Sequence, residues 1–189
     1  MDMWRPFRNA SQEVFSNAII VVDRFHYVKQ IGEAFRKVRC RIQAQLNEGK
    51  RIKKYWKLLH KNFYKLTQSQ LNRLQELLGY SDDLSEVYEY KKMMDEVNLH
   101  CGKEAHELFD NLLNSLKMSS LPEVKAVYKT FTNWYKEIVN SFYYHYTNGV
   151  AEGNNNKIKV TKRMSYGIRN FTNLKKLILH RSRCDKMIA

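Results

Sequence analysis

Only three cysteines, two prolines and seven glycines punctuate these 189 residues. Cys40, Cys101 and Cys184 are odd in number, far apart and without a C-x-x-C pair, so they suggest neither a disulfide framework nor a zinc knuckle and fit a reducing cytoplasm. No run approaches eighteen apolar residues, and Met1-Asp2-Met3-Trp4-Arg5-Pro6 has no apolar signal core, so neither a membrane span nor a leader is expected. The sequon Asn170-Phe171-Thr172 then reads as a chance match. No internal repeat and no low-complexity tract is present. The scarcest commodity is acid: 19 Asp and Glu stand against 33 Lys and Arg, a formal net charge of +14. An excess of that size concerns partners rather than fold, and nucleic acid is the leading candidate.

What the chain does contain is enough for a core. A hydrophobic fraction of 43% with 13% aromatics exceeds what a disordered chain carries, and the length suits one domain or part of a larger one. Charge is unevenly spread. Residues 29–65 hold twelve Lys or Arg and two acids, while residues 82–110 hold nine acids and three bases. Two basic surfaces therefore flank an acidic segment.

Hydrophobic spacing predicts a mainly helical chain. Pro6 suits a first helical turn, with Phe7, Ala10, Val14 and Phe15 as its apolar side. Ala18-Ile19-Ile20-Val21-Val22 is a continuous, largely β-branched run of buried-strand type, closed by Asp23-Arg24. After it, Phe25 to Leu46 reads as a long helix stopped by Asn47-Glu48-Gly49, and a second basic helix is expected from Ile52 to Leu66. Thr67 with Gln70 has capping-box spacing for a helix ending near Gly79. Amphipathic helices follow at 84–99, 104–117 and 122–143. Trp134, Tyr135, Phe142, Tyr143, Tyr144 and Tyr146 read as core rather than as a base-stacking platform. A lone strand cannot satisfy its backbone on both edges, so the rest of its sheet is expected upstream of Met1, with an exposed edge at 18–22 prone to aggregation.

The most informative stretch lies near the C-terminus. Thr147-Asn148-Gly149 leads into Glu152-Gly153-Asn154-Asn155-Asn156-Lys157-Ile158-Lys159, followed by Lys162-Arg163 and Tyr166-Gly167. Between Gly153 and Cys184 there are nine Lys or Arg and no acid. A carboxylate beside a glycine turn and a lysine-rich helix is the arrangement expected where an acidic metal ligand sits against a nucleic-acid backbone. The alternative is a solvated acid near a helix start. Lys157, Lys159, Lys162 and Arg163 can populate one broad helix side and meet successive phosphates.

Taken together, Asp2-Met3-Trp4, Asp23-Arg24-Phe25-His26 with Val28-Lys29, Leu84 with Tyr88, and the blocks from Thr147 to Gly167 resemble the DDE transposases of the bacterial insertion-sequence group called ISL-three. The resemblance covers nearly the whole chain. It implies the C-terminal part of an RNase H-like α/β catalytic core, with one strand retained at about 18–22 and a large helical insertion. The division it implies is a residual α/β segment at 1–28, the insertion at 29–146, and C-terminal core helices at 147–189. Enzymes of this kind hold a pair of divalent ions, usually Mg²⁺, on two Asp and one Glu for in-line attack on a phosphodiester.

By that resemblance Asp2 matches the second catalytic aspartate and Glu152 the glutamate, both as metal ligands. Asp23 and His26 match a supporting block, Asp23 being the alternative second acid or simply a helix cap. Arg24, Lys29, Lys157, Lys159, Lys162, Arg163 and Arg169 are the expected DNA contacts. The family's first aspartate has no counterpart among the 189 residues, so weak or absent Mg²⁺ binding is expected and unaided transposase chemistry is left open. The competing reading is an inactive fragment that binds DNA or interferes with a full-length transposase. DNA, a full-length transposase or a second copy of the chain are the implied partners, in a bacterial cytoplasm.

Overall fold

Pro6 supplies a fixed φ suited to a first helical turn, where its missing N–H costs nothing, and α1 (Arg5–Val14) begins beside it. None of the residues of α1 is buried. The helix that follows is the opposite case. In α2 (Arg24–Gln45) Tyr27, Ile31, Phe35, Val38 and Ile42 recur every three or four positions, and all are buried. The structure, a computed structural model, describes residues 1–46, 52–144, 146 and 149–188, without the side chains of 53, 150, 151 and 182–188. It comprises two compact units, Met1–Tyr146 and Thr147–Ala189. The expected stop at Asn47-Glu48-Gly49 and the pair Thr147-Asn148 lie outside the described residues.

In the first unit, α2 is followed by a 3₁₀ turn at Ile52–Tyr55, α3 (Trp56–His60), a second 3₁₀ turn at Phe63–Lys65, α4 (Gln68–Leu78) and α5 (Asp82–Val97). Then come α6 (Gly102–Met118), α7 (Pro122–Asn133) and α8 (Tyr135–Tyr143). Helix α2 packs on α5, α7 and α8, and α6 packs on α5, α7 and α8 from its own side. Phe109 of α6 is the hub of that second contact, with ring centroids 5.5 Å from Phe131 and 5.5 Å from Phe142. Burying rings of this size supplies much of the apolar area that holds such a bundle together. Thr67 and Gln70 form the reciprocal capping box expected of them at the start of α4.

Three expectations about secondary structure are corrected. First, among the described residues there is no strand, and 18–22 is extended but irregular. A strand needs a ladder, and this segment finds only scattered partners. The Met1 amine donates to Val21 O (2.6 Å), Asp23 N–H donates to Met1 O (3.0 Å), Val22 N–H donates to Glu137 O (3.1 Å), and Asn140 Nδ2 donates to Ile20 O (2.8 Å). The first two bonds alternate as in a parallel pair between Met1 and Val22, which is one rung and too little for a strand.

Second, the basic segment 52–66 is not one helix. Lys61 leaves the helical region with ψ 143°, and Asn62 Oδ1 accepts from Tyr64 N–H while Asp95 Oδ2 accepts from Phe63 N–H, so side chains offer the backbone better local partners than a helix would. Third, 122–143 is interrupted at Trp134 (φ −113°, ψ 17°). The hydroxyls of Thr130 and Thr132 donate to the carbonyls four residues earlier, a pattern that bends helices. The aromatic run splits accordingly: Trp134 and Phe142 are buried, whereas Tyr143, Tyr144 and Tyr146 are exposed.

The acidic segment 82–110 partly neutralises its neighbours. Arg41 of α2 reaches Asp83 at 2.7 Å and Glu123 at 3.1 Å, and the buried Lys91 reaches Asp95 at 2.7 Å. The second unit is a pair of packed helices, α9 (Gly149–Met164) and α10 (Phe171–Ile188). Its turn uses Gly167 at φ 90° beside Tyr166 at φ 44°, a backbone region that only glycine occupies without cost. Asn170 Oδ1 accepts from Thr172 and Asn173 N–H and so caps α10, the local reason for an asparagine there.

Candidate functional site

The first unit brings together Asp2, Asp23 and His26, three of the residues marked out in the sequence. Pairing of Met1 with Val21 and Asp23 holds the chain start against the entry to α2. Across that junction His26 Nε2 donates to Asp2 Oδ1 at 2.9 Å, with the imidazole three-quarters buried and the carboxylate half exposed. The bond fixes the proton on Nε2 whether the ring is charged or neutral. Asp23 stands at the N-cap of α2, its Oδ1 accepting from Phe25 N–H at 2.9 Å. Asp23 thus acts as a helix cap.

Of the basic residues at this end, Arg24 Nη2 donates to Asn98 O at 2.6 Å, tying the start of α2 to the end of α5. Lys29 is exposed, with its ammonium 5.9 Å from the Phe25 ring centre. Arg8, which the sequence did not mark, is the side chain that anchors α1. It donates to Asn133 O at 2.8 Å, approaches Glu137 at 3.6 Å and lies 4.4 Å over the Trp134 ring. An isolated arginine on an amphipathic helix carries no pattern that would have identified it.

In the second unit Glu152 lies in the first turn of α9, where a carboxylate is favoured by the N–H groups of the helix end. Gly153 is not in a turn, as its position after the acid had indicated, but inside the helix. Glu152, Lys157, Lys159, Lys162, Arg163 and Arg169 are all exposed. At 3.6 residues per turn, Lys159 and Arg163 fall seven and eleven positions after Glu152, about two and three turns along the same face. Lys162 flanks that face. Lys157, five positions on, belongs to the opposite side, so the four bases do not share one side.

Mg²⁺ demands near-octahedral oxygen coordination, usually from one or two carboxylates together with water and substrate phosphate. In the first unit Asp2 Oδ1 is taken by an imidazole and Asp23 Oδ1 by a backbone N–H. Glu152 is the one acid of the first turn of α9. Among the described residues no group of three His, Cys, Asp or Glu side chains could hold a metal. The donor set within either unit therefore does not fit the ion.

No helix among the described residues is long and apolar enough to cross a membrane. One similar protein is from Lactococcus lactis subsp. lactis and is described as an ATP-dependent protease. It is 40% identical over 74 residues, 39% of this chain and 23% of that protein, so the chain spans about a quarter of that relative's length. No solved structure matches. A family model described as transposase, of the DDE ISL-three type, matches residues 1–178. Families of this type generally use divalent metal and act on DNA. By that match the chain belongs to the ISL-three family of DDE transposases.

Proposed function

We propose that this chain serves DNA transposition by gripping DNA through the basic face of its second unit. On this reading, metal-dependent strand cleavage and transfer need a third carboxylate beyond Asp2 and Glu152. The observation that carries it is the row formed by Glu152, Lys159 and Arg163 on one exposed side of α9, in a stretch with nine Lys or Arg and no acid from 153 to 184. Exposed cations with no acid in their own stretch of sequence gain most by replacing the counterions of a phosphate backbone. Glu152 is the residue that would serve as a metal ligand there if further carboxylates completed the site.

The one-rung parallel pairing of Met1 with Val22 supports the further reading that 1–28 belongs to an RNase H-like core, with 29–146 inserted into it. The same rung sets Asp2 beside His26. We assign His26 as the residue that orients the Asp2 carboxylate, and Mg²⁺ as the ion of the completed site. A chain that binds DNA without cutting it, and so interferes with a complete transposase, is the second reading. Among the described residues no three His, Cys, Asp or Glu side chains cluster as metal ligands, which favours it for the chain alone.

Duplex affinity measured by anisotropy over a potassium chloride series tests the grip. The logarithm of the binding constant should fall steeply with the logarithm of salt. Each of Lys159→Ala and Arg163→Ala should flatten the slope by about 0.9. Slopes identical to that of the unaltered chain would sink the assignment of this face.

A further inference from the structure

The first unit carries a second feature suited to nucleic acid, distinct from the basic helix and next to Asp2. Trp4 N–H donates to Asp2 O at 2.8 Å, so the tight turn that presents the Asp2 carboxylate also presents the Trp4 ring. Trp4 as a residue is 54% exposed, although tryptophan is a costly residue to leave in water. Phe7 meets its ring perpendicularly at 4.5 Å, and a perpendicular contact leaves at least one indole face not covered by Phe7. Beside it opens a cleft of about 450 Å³, whose lining includes Trp4, Arg5, Pro6, Lys129, Asn133 and Trp134. That size lies within the range of small-molecule sites.

The chemistry of the walls is specific. Arg5 and Lys129 are exposed, and among the described residues neither has an ion-pair partner. Trp134 is buried, with Arg8 over one of its faces, and forms a rigid wall. Asn133 brings an amide, which can both donate to and accept from a base edge. An open indole, two uncommitted cations and an amide around one cleft form the set that recognises a nucleotide. The ring stacks on the base, the cations hold phosphate, and the amide reads the edge.

A base inside a duplex has both faces covered by its neighbours, so Trp4 can stack only on a base that is unpaired. We propose that this cleft binds one unpaired nucleotide of a DNA strand, with the base on Trp4 and the phosphate on Arg5 and Lys129. It would hold that strand beside Asp2. The inference rests on the DNA-binding reading above, and it adds a single-strand site to the duplex-binding face of α9.

The test uses the whole chain and three probes: a labelled single-stranded oligonucleotide, a blunt duplex of the same sequence, and deoxyadenosine monophosphate. Trp4→Ala should weaken binding of the single strand about tenfold, within the range for loss of one stacked base. It should leave duplex affinity unchanged, and Trp4→Phe should restore most of the loss. Lys129→Ala should weaken the single strand and flatten its salt dependence. Unchanged single-strand affinity in Trp4→Ala with normal duplex binding would overturn the cleft and leave the DNA-binding reading intact. Absence of binding to either DNA by the unaltered chain would overturn both. Mononucleotide binding as tight as that of the strand would overturn assignment of the site to DNA.

Discussion

His60 at the end of α3 should make the fold acid-sensitive in a way that a single substitution removes. Its Nε2 is buried with no hydrogen-bond partner, the Trp56 ring centre lies 3.4 Å away and that of Phe35 5.7 Å away. Burial first, and then the positive charges of Lys91 and Arg39, hold the imidazole down from 6.5 to about 4. In the unfolded chain the ring takes its proton near 6.5, so between there and pH 4 the unfolded state binds more protons. Stability therefore falls as pH falls through this window and is unaffected by this group above it. The gap corresponds to a ceiling of about 3 kcal/mol. His60 keeps some contact with water, so about 2 kcal/mol is expected by pH 4.5. Urea unfolding at pH 7 and pH 4.5 measures it, comparing the unaltered chain with His60→Leu. Carboxylates titrate in both proteins, and the difference between their losses isolates the imidazole. The unaltered chain should lose about 2 kcal/mol more than the variant. Parallel losses would refute the reasoning.

Two further outcomes follow from single positions. Gly153 lies inside α9, and a Cβ built on it meets nothing within 4 Å. Gly153→Ala should therefore stabilise that helix by up to about 1 kcal/mol, read as a higher melting temperature by far-ultraviolet circular dichroism, and a lower one would contradict it. Arg8→Ala removes the guanidinium beside the nearly buried Glu137 carboxylate and the main anchor of α1. It should cost about 2–3 kcal/mol and open α1 to limited proteolysis, and wild-type resistance would count against that anchoring role.

Helices whose apolar residues recur over several turns were readable from the sequence. The run Val28, Ile31, Phe35, Val38 and Ile42 marked α2 almost to its ends, although Tyr27 rather than Val28 is the buried residue of its first turn, and Thr67 with Gln70 marked the start of α4, because periodicity and capping are local. The segments that depart from expectation are those whose conformation depends on distant partners. Ala18 to Val22 has the composition of a strand, but composition does not provide a ladder, and it is extended against Met1, Glu137 and Asn140 instead. The basic run 52–66 has the charge pattern of a helix, yet Asp95, thirty-two residues after Phe63, helps break it. Trp134 ends α7 because of threonine hydroxyls four residues apart from their acceptors, a contact that leaves no trace in hydrophobic spacing.

The site was legible in the same uneven way. Asp2 and His26 were marked out by motif and do meet, a contact that no spacing of 24 residues could have shown. Glu152 stands out in sequence as the one acid ahead of a long acid-free stretch, and helix geometry adds that Lys159 and Arg163 share its face whereas Lys157 does not. The cleft at Trp4 draws its walls from residues 3–6 and from residues between 129 and 134. Only packing places those two segments together.

The most direct measurement is a supercoiled plasmid incubated with the chain in Mg²⁺ and resolved on a gel, which reads binding and cutting at once. Retarded plasmid that stays uncut is the predicted result, with retardation lost as salt is raised. Mg²⁺-dependent nicking by the chain alone, abolished by Glu152→Gln and by Asp2→Asn, would contradict the requirement for a third carboxylate. Plasmid that migrates unretarded at low salt would contradict the grip on DNA itself.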